Sequence, residues 1–294
     1  KLKFILNENL DEDNLLLNAV SSQKKIKNFY VEHNFLHHFF IGNYLDLILE
    51  NFDKYITNGW GSKTNKKIIK GGTLSHVFDF SSLKKSSNPK NIYFLCGLPA
   101  SRYPFTASFY SDCGYKKSIS TVNNFEKFFL NLNSYNKKNI FIKRHPESYG
   151  KIISEYNGVD QSFLNNKNLK KNIINTDDKF FNLLENTRLA ITAYYGTTFL
   201  QAIMFNVPVV LFYNRNSCYL KKSYKKYFEN FSKVGIIQKS PKDAAIFVNK
   251  ISKNPEIWWR QEKVQKVRKK FLDENINNVK FNDVLYKLTK SLSH

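Results

Sequence analysis

The stretch TRLAITAYYGTTFLQAIMFNVPVVLFYN, residues 187–214, decides the fold. It opens on a short apolar run (189–193), meets Tyr-Tyr-Gly-Thr-Thr, continues as an apolar segment of helical length (197–205), and closes on a β-branched and aromatic run (207–213). Strand, turn, helix and strand in that order form a βαβ unit. Both strand runs are apolar at consecutive positions rather than alternating, so both faces of their sheet are expected to be covered. The turn is chemically pointed. Gly196 lets the backbone approach a ligand, while Thr197 and Thr198 open a helix whose first amides and positive dipole end suit a phosphate. A plain helix cap is the rival reading of the same residues.

The pattern repeats outward from this unit. Upstream, 91–96, 139–144 and 172–176 read as strands, and 122–133 and 178–187 as helices. Downstream come a helix over 218–232, a strand over 234–238 and a helix over 241–252. The alternation predicts one mainly parallel sheet of about five to seven strands in a Rossmann-like domain spanning 89–254. Ahead of it, strand ends at 27–34 and 52–61 flank a helix over 43–52, a partial α/β domain on the acceptor side within 1–88. Polar, Gly-Gly-containing 66–90 reads as a connection between the two. Residues 255–294, with EIWWRQEKVQKVRKKF, predict amphipathic helices packing back across both domains.

Composition narrows the functional classes. Of 46 basic residues against 24 acidic ones, only six are Arg, giving a net charge of +22 dominated by lysine. Nucleic-acid surfaces rely on Arg for bidentate contacts, and no zinc-finger, helix-turn-helix or RNP pattern is present, so nucleic acid is not an expected partner. The charge suits anions in general, including an anionic membrane surface. Cys96, Cys113 and Cys218 are too scattered for a metal site or a disulfide framework, which points to a reducing, cytoplasmic setting with peripheral membrane contact. No apolar run is long enough to span a bilayer, and there is no signal-peptide pattern. The chain begins with Lys and holds one Met, which reads as a missing natural N-terminus.

In open parallel sheets ligands bind beyond the carboxyl ends of strands. Four groups fall at such ends: GLPASRY (97–103), KRHP (143–146), YYGTT (194–198) and NRN (214–216). Arg144 and His145 could donate to a phosphate, with Arg102 supplying a planar cation to the same anion. A solvated basic turn is the alternative for KRHP. In the N-terminal part, Glu32 and His33 end a strand. A histidine there suits a general base, since its pKa lies near neutrality; a structural hydrogen-bonding role is the other reading. Neither a metal nor a cofactor is expected, since cations and helix N-termini would carry the charge of a phosphate.

Taken together, FYVEHN, DKYITNGWG, LPASRY, the 187–214 stretch, GIIQKSPKDAAIFVNKI and WWRQEKVQKVRKKF resemble a family of transferases encoded in bacterial surface-polysaccharide and lipopolysaccharide gene clusters. The resemblance covers residues from about 27 to 272. It implies a GT-B-like fold, distantly similar to capsule Kdo transferases, HP-motif sialyltransferases and teichoic-acid polymerases. Those relatives use cytidine-nucleotide donors, and their HP histidine and a later Ser/Thr pair bind the donor phosphates. Here the matching residues are His145 with Thr197 and Thr198. The relatives carry His-Gly where this chain has His33-Asn34, and the N-terminal part is short for a full acceptor domain.

The reading that follows is a metal-independent glycosyltransferase. It would use a nucleotide-activated sugar, a CMP-linked acidic one by resemblance, and a glycan or lipid-linked acceptor. Arg102, Arg144, His145, Gly196, Thr197 and Thr198 would hold the donor, and His33 or Glu32 would act as base. A CDP-alditol phosphotransferase and a non-catalytic nucleotide- or glycan-binding module are the alternatives.

Overall fold

The computed structural model describes residues 4–7, 12–32, 39, 45–72, 83–96, 115–144, 166–174, 179–213 and 220–276, with four further positions between 283 and 290. It divides into two compact units. One comprises Lys1–Phe39, Asn43–Ser81 and Lys269–His294; the other comprises Phe40–Gly42 and Ser82–Arg268.

The first unit holds a parallel sheet of β1 (Phe4–Asn7), β2 (Lys27–Val31), β3 (Lys54–Ile56) and β4 (Ile68–Ile69), side by side in chain order. Helix α1 (Glu12–Gln23) links β1 to β2, and α2 (Leu45–Asn51) precedes β3. Four consecutive residues of β2 are buried, as expected of a strand covered on both faces. Tyr30 stacks on Tyr55 at 5.6 Å and meets Phe52 edge-on at 5.3 Å; Ile48 and Trp60 complete this core. Asp53 ties the start of β2 to β3, accepting from the Asn28 amide at 2.9 Å and from Lys27 Nζ at 2.8 Å. The segment read as a connection contributes β4 to this sheet, because Ile68 and Ile69 give the stretch just enough apolar, β-branched character to extend it.

The second unit holds β5 (Asn91–Cys96), β6 (Ile140–Arg144), β7 (Thr187–Thr192) and β8 (Val209–Leu211) in the spatial order β6-β5-β7-β8, all parallel. Single bridges extend both edges, Ile142 to Ile173 on one side and Leu211 to Ile237 on the other. Counting those bridges in chain order, the sheet reads 3-2-1-4-5-6, the doubly wound Rossmann order. The chain reverses direction of growth between β5 and β7. Leu95 is in register with both Lys143 and Thr192, so β6 and β7 run level with each other at this end of the sheet, two strand spacings or about 10 Å apart.

The sheet is narrower than expected, four strands and two bridges among the described residues. At 172–176, Lys170–Asn172 instead form a 3-10 turn, and Asn172 Nδ2 donates to the carbonyls of Lys137 and Ile140. At 234–238, Gly235 adopts a positive φ of 84° and limits the strand to two hydrogen bonds with Leu211. Pro208 has no N–H to donate, and β8 begins after it. The helix expected over 178–187 shrinks to α5 (Phe180–Leu183) plus a 3-10 turn.

Both faces are covered. Phe94 of β5 packs on Phe125 and Phe128 of α3 (Tyr115–Leu130), with centroids 5.5 and 4.9 Å away, and on Phe212 at 6.0 Å. A short α4 (Ser134–Asn139), capped by the Asn133 side chain, follows α3. Helix α6 (Thr197–Met204) joins β7 to β8 and is buried along Phe199–Ile203. Then come α7 (Lys225–Lys233), α8 (Pro241–Ile251), α9 (Pro255–Trp259) and α10 (Glu262–Asn275). Ser240 caps α8 with Pro241 in its first turn.

Candidate functional site

Helix α6 starts where the Rossmann order switches, and its start is built around glycine. Gly196 is the N-cap, in extended backbone at φ −165°, and has no side chain to accept from the first amides of the helix. Its role is space rather than backbone freedom. A Cβ at this position would lie 2.7 and 3.0 Å from two carbons of the Tyr194 ring. Tyr194 therefore lies folded against the turn, and Thr198 Oγ1 donates to its hydroxyl at 2.9 Å. Burial pushes the Tyr194 phenol up to about 12; the Thr198 hydrogen bond opposes the shift and the nearby Cys96, at the end of β5, adds to it. Tyr195 has the opposite role. It is buried, with its ring 5.2 Å from Phe199 and 4.6 Å from Phe228, and burial raises its phenol well above the ordinary value.

The far end of α6 is gripped by the C-terminal helices. Arg268 of α10 donates through Nε to the Ile203 carbonyl at 2.6 Å and through Nη2 to the Met204 carbonyl at 3.1 Å. Asn206, at a positive φ of 57°, ends the helix; its side chain accepts from Trp259 Nε1 at 2.8 Å and its carbonyl from Lys85 Nζ at 3.0 Å. A cation thus sits at the negative end of the helix whose positive end opens the switch point. Burial lowers the Arg268 pKa to about 10, still far above neutrality.

The expected site residues are distributed as follows. Gly196, Thr197 and Thr198 form the turn just described. Arg144 ends β6 beside Cys96, with Lys143 before it buried to 2% exposure. Arg102, His145 and His33 lie outside the described residues, as does the side chain of Arg144. Glu32, after β2, is fully buried. Its carboxylate accepts from the Asn58 amide at 2.8 Å and from the Trp60 indole N–H at 2.9 and 3.1 Å, while Asn58 Nδ2 donates to its carbonyl at 2.8 Å. It locks the Asn58-Gly59-Trp60 turn, where Gly59 takes a φ of 135°. Among the described residues no three His, Cys, Asp or Glu gather as a metal site, and no helix is long and apolar enough to cross a membrane.

Sequence reasoning missed Tyr194, Arg268, Asn206 and Trp259. The i to i+4 relation of Tyr194 and Thr198 across a glycine cap was the available signal for the first. The Trp-Trp and Arg of the tail were visible, but not what they touch.

Two parallel α/β units, one of Rossmann order with its switch point at a helix N-terminus, define a GT-B-like fold. The family model for LIC12162 family transferase matches residues 1–291, and the chain belongs to that family. No curated protein matches the chain. Among solved structures, one from Listeria monocytogenes assigned as a UDP-N-acetylglucosamine 2-epimerase is similar over 96% of this chain and 71% of its own, at 9% identity and a TM-score of 0.56. The glycotransferase of kitacinnamycin is similar over 95% and 73%, at 9% identity and a TM-score of 0.48. The spinosyn rhamnosyltransferase SpnG, in complex with thymidine diphosphate, is similar over 94% and 70%, at 10% identity and a TM-score of 0.48.

Proposed function

We propose that the protein is a glycosyltransferase taking a nucleotide-activated sugar, CMP-linked by the sequence resemblance, and passing the sugar to a hydroxyl of a glycan or lipid-linked acceptor. The observation that carries the reading is the first turn of α6, glycine-capped and placed at the Rossmann switch point. Its amides point a partial positive charge at whatever occupies the turn. As the glycosidic bond of the donor breaks, negative charge grows on the leaving phosphate. Fixed donors stabilise that charge without reorganising, which lowers the barrier. Gly196 admits the phosphate, Thr197 opens the helix, and Arg144 and His145, at the end of β6 two strands away, add donors together with Arg102, which follows β5 in the chain. No metal is required in this scheme. His33 takes the proton of the acceptor hydroxyl, and Glu32, committed to the 58–60 turn, holds the backbone just before it.

The test is calorimetry with CMP, CDP, UDP and GDP on wild type, His145→Ala and Thr197→Ala. Each variant is expected to weaken the preferred nucleotide by about 1–3 kcal/mol, the range for a charge-assisted hydrogen bond lost at a desolvated site. Nucleotide affinity unchanged by both substitutions refutes the assignment. Preference for CDP over CMP moves the donor toward a CDP-alditol.

A further inference from the structure

Helix α1 inverts the usual arrangement of a helix lying on a sheet, which turns apolar residues inward and polar ones to water. Its inward residues are Asn18 and Ser21, buried to 6% and 2% exposure. Asn18 Nδ2 donates to the Asn51 carbonyl at 2.9 Å and Ser21 Oγ to Asn28 Oδ1 at 2.7 Å, so hydrogen bonds hold the helix to its unit. Leu16, Leu17 and Val20 lie outside, at 66%, 43% and 42% exposure. Their i, i+1, i+4 spacing puts them on one stripe of the helix. The Lys24 amide still donates to the Val20 carbonyl, at 3.2 Å, so the next turn of that stripe ends in a lysine.

Lys24 opens a basic rim. Lys24 and Lys25 follow α1, Lys27 opens β2, Lys54 opens β3 and Lys66 comes just before β4. The parallel register brings these strand starts to one edge of the sheet, with Lys54 beside Phe29 and Ile68 beside Tyr55. Lys54 Nζ reaches the Lys66 carbonyl at 3.1 Å. The acidic residues adjoining these strand starts in the chain are Glu50 and Asp53, and Asp53 is already paired with Lys27 at 2.8 Å. Glu12 and Asp13 begin α1, about 18 Å along the helix from Lys24. An apolar stripe running into a lysine rim matches the zone between acyl chains and anionic headgroups. The chain's net charge of +22 favours an anionic occupant and opposes a second copy of itself. A nucleic-acid backbone would meet the lysines and leave the leucines in water.

We propose that α1 docks the protein peripherally on an anionic bilayer: Leu16, Leu17 and Val20 enter the headgroup region, and the lysine rim faces lipid phosphates. All of these residues belong to the first unit, and the inference stands whether or not the second unit binds a nucleotide.

The experiment is co-sedimentation of the whole chain with vesicles of equal parts phosphatidylcholine and phosphatidylglycerol, and with phosphatidylcholine alone. Wild type is expected to bind the mixed vesicles and to leave them in high salt, as the lysines are screened. A lysine near an anionic surface is worth about fivefold in partitioning, so Lys24→Gln/Lys66→Gln should weaken binding about twentyfold to thirtyfold. Leu16→Ala/Leu17→Ala keeps helix propensity and removes apolar area from the stripe, and should cost about tenfold or more. Both pairs are exposed, so melting temperatures should match wild type, and Val20→Ala gives a second probe of the stripe. Weakened binding in both pairs with unchanged melting supports the proposal. It is overturned by no binding of wild type to the mixed vesicles, by equal binding to both kinds, or by binding that either pair leaves unaffected. A wild-type dimer that the leucine pair converts to monomer in analytical ultracentrifugation overturns it in favour of a second copy on the same stripe.

Discussion

Replacing Arg268 with methionine removes the donors at the C-terminal end of α6 while keeping most of the side chain's length. The wild-type guanidinium reaches the Ile203 carbonyl at 2.6 Å and the Met204 carbonyl at 3.1 Å, with a weaker contact to Gln265 Oε1 at 3.3 Å. Hydrogen bonds from a charged donor contribute about 1.5–3 kcal/mol each, but these two share one cation that burial already penalises. The net loss is therefore about 2–4 kcal/mol rather than the sum. Water cannot easily replace the lost donors, since Ile203 is fully buried. Arg268→Lys keeps the charge but not the planar fork, and is expected to lose about half as much. Urea denaturation gives the global effect, and hydrogen exchange of the 197–206 peptide shows whether it is localised to α6. A methionine variant within about 0.5 kcal/mol of wild type, the spread of ordinary surface substitutions, refutes the idea that this arginine anchors the helix.

Gly196→Ala is expected to fold, because extended backbone suits any residue, yet to lose about 1–3 kcal/mol by overpacking against Tyr194. Adding Tyr194→Ala should relieve that cost, read as a rise in melting temperature over the single variant. Asp53→Asn tests the clasp between β2 and β3. Burial raises the Asp53 pKa, but the hydrogen bonds from Lys27 and Asn28 and the charges of Lys27 and Lys67 outweigh it, leaving the pKa below its ordinary 3.8. A lowered carboxylate pKa contributes stability above the unfolded value that disappears as pH falls through the folded one. The variant should therefore be less stable by about 1 kcal/mol at neutral pH, and the gap should close in melts run below pH 4. His33→Ala should cut turnover by about a hundred- to ten-thousand-fold with donor affinity within about twofold, the signature of a general base. Near-normal turnover would place the base elsewhere.

Much of the sheet was legible because its strands are short unbroken apolar runs between turn residues. The 91–96 run coincides with β5, and 189–193 and 207–213 flank neighbouring strands of one sheet. What failed had weak apolar contrast. Helix α1 leaves Leu16, Leu17 and Val20 exposed, so no inward stripe marks it. Helix α4, Ser-Tyr-Asn-Lys-Lys-Asn, has one apolar ring and is marked in sequence chiefly by its Asn133 cap. The candidate turn was legible as a glycine-capped helix start at Gly196-Thr197-Thr198, but not in what its side chains touch. Of two adjacent tyrosines, sequence cannot say which turns into the core. Nor could it pair Arg268 with carbonyls 64 and 65 residues away.

The grip of the tail on α6 bears on where this protein can be cut. A fragment stopping at residue 254 would retain every strand of the second sheet and would look, by topology, like a self-sufficient nucleotide-binding module. It would lack Trp259 and Arg268, leaving the Asn206 side chain and the last carbonyls of α6 without the donors that hold them. Expressed alone, such a piece should show its looseness first in the helix that carries the candidate phosphate turn, while the strands remain protected. The smallest excised piece able to report on ligand affinity therefore extends through Arg268, and affinities measured on anything shorter would describe a different molecule.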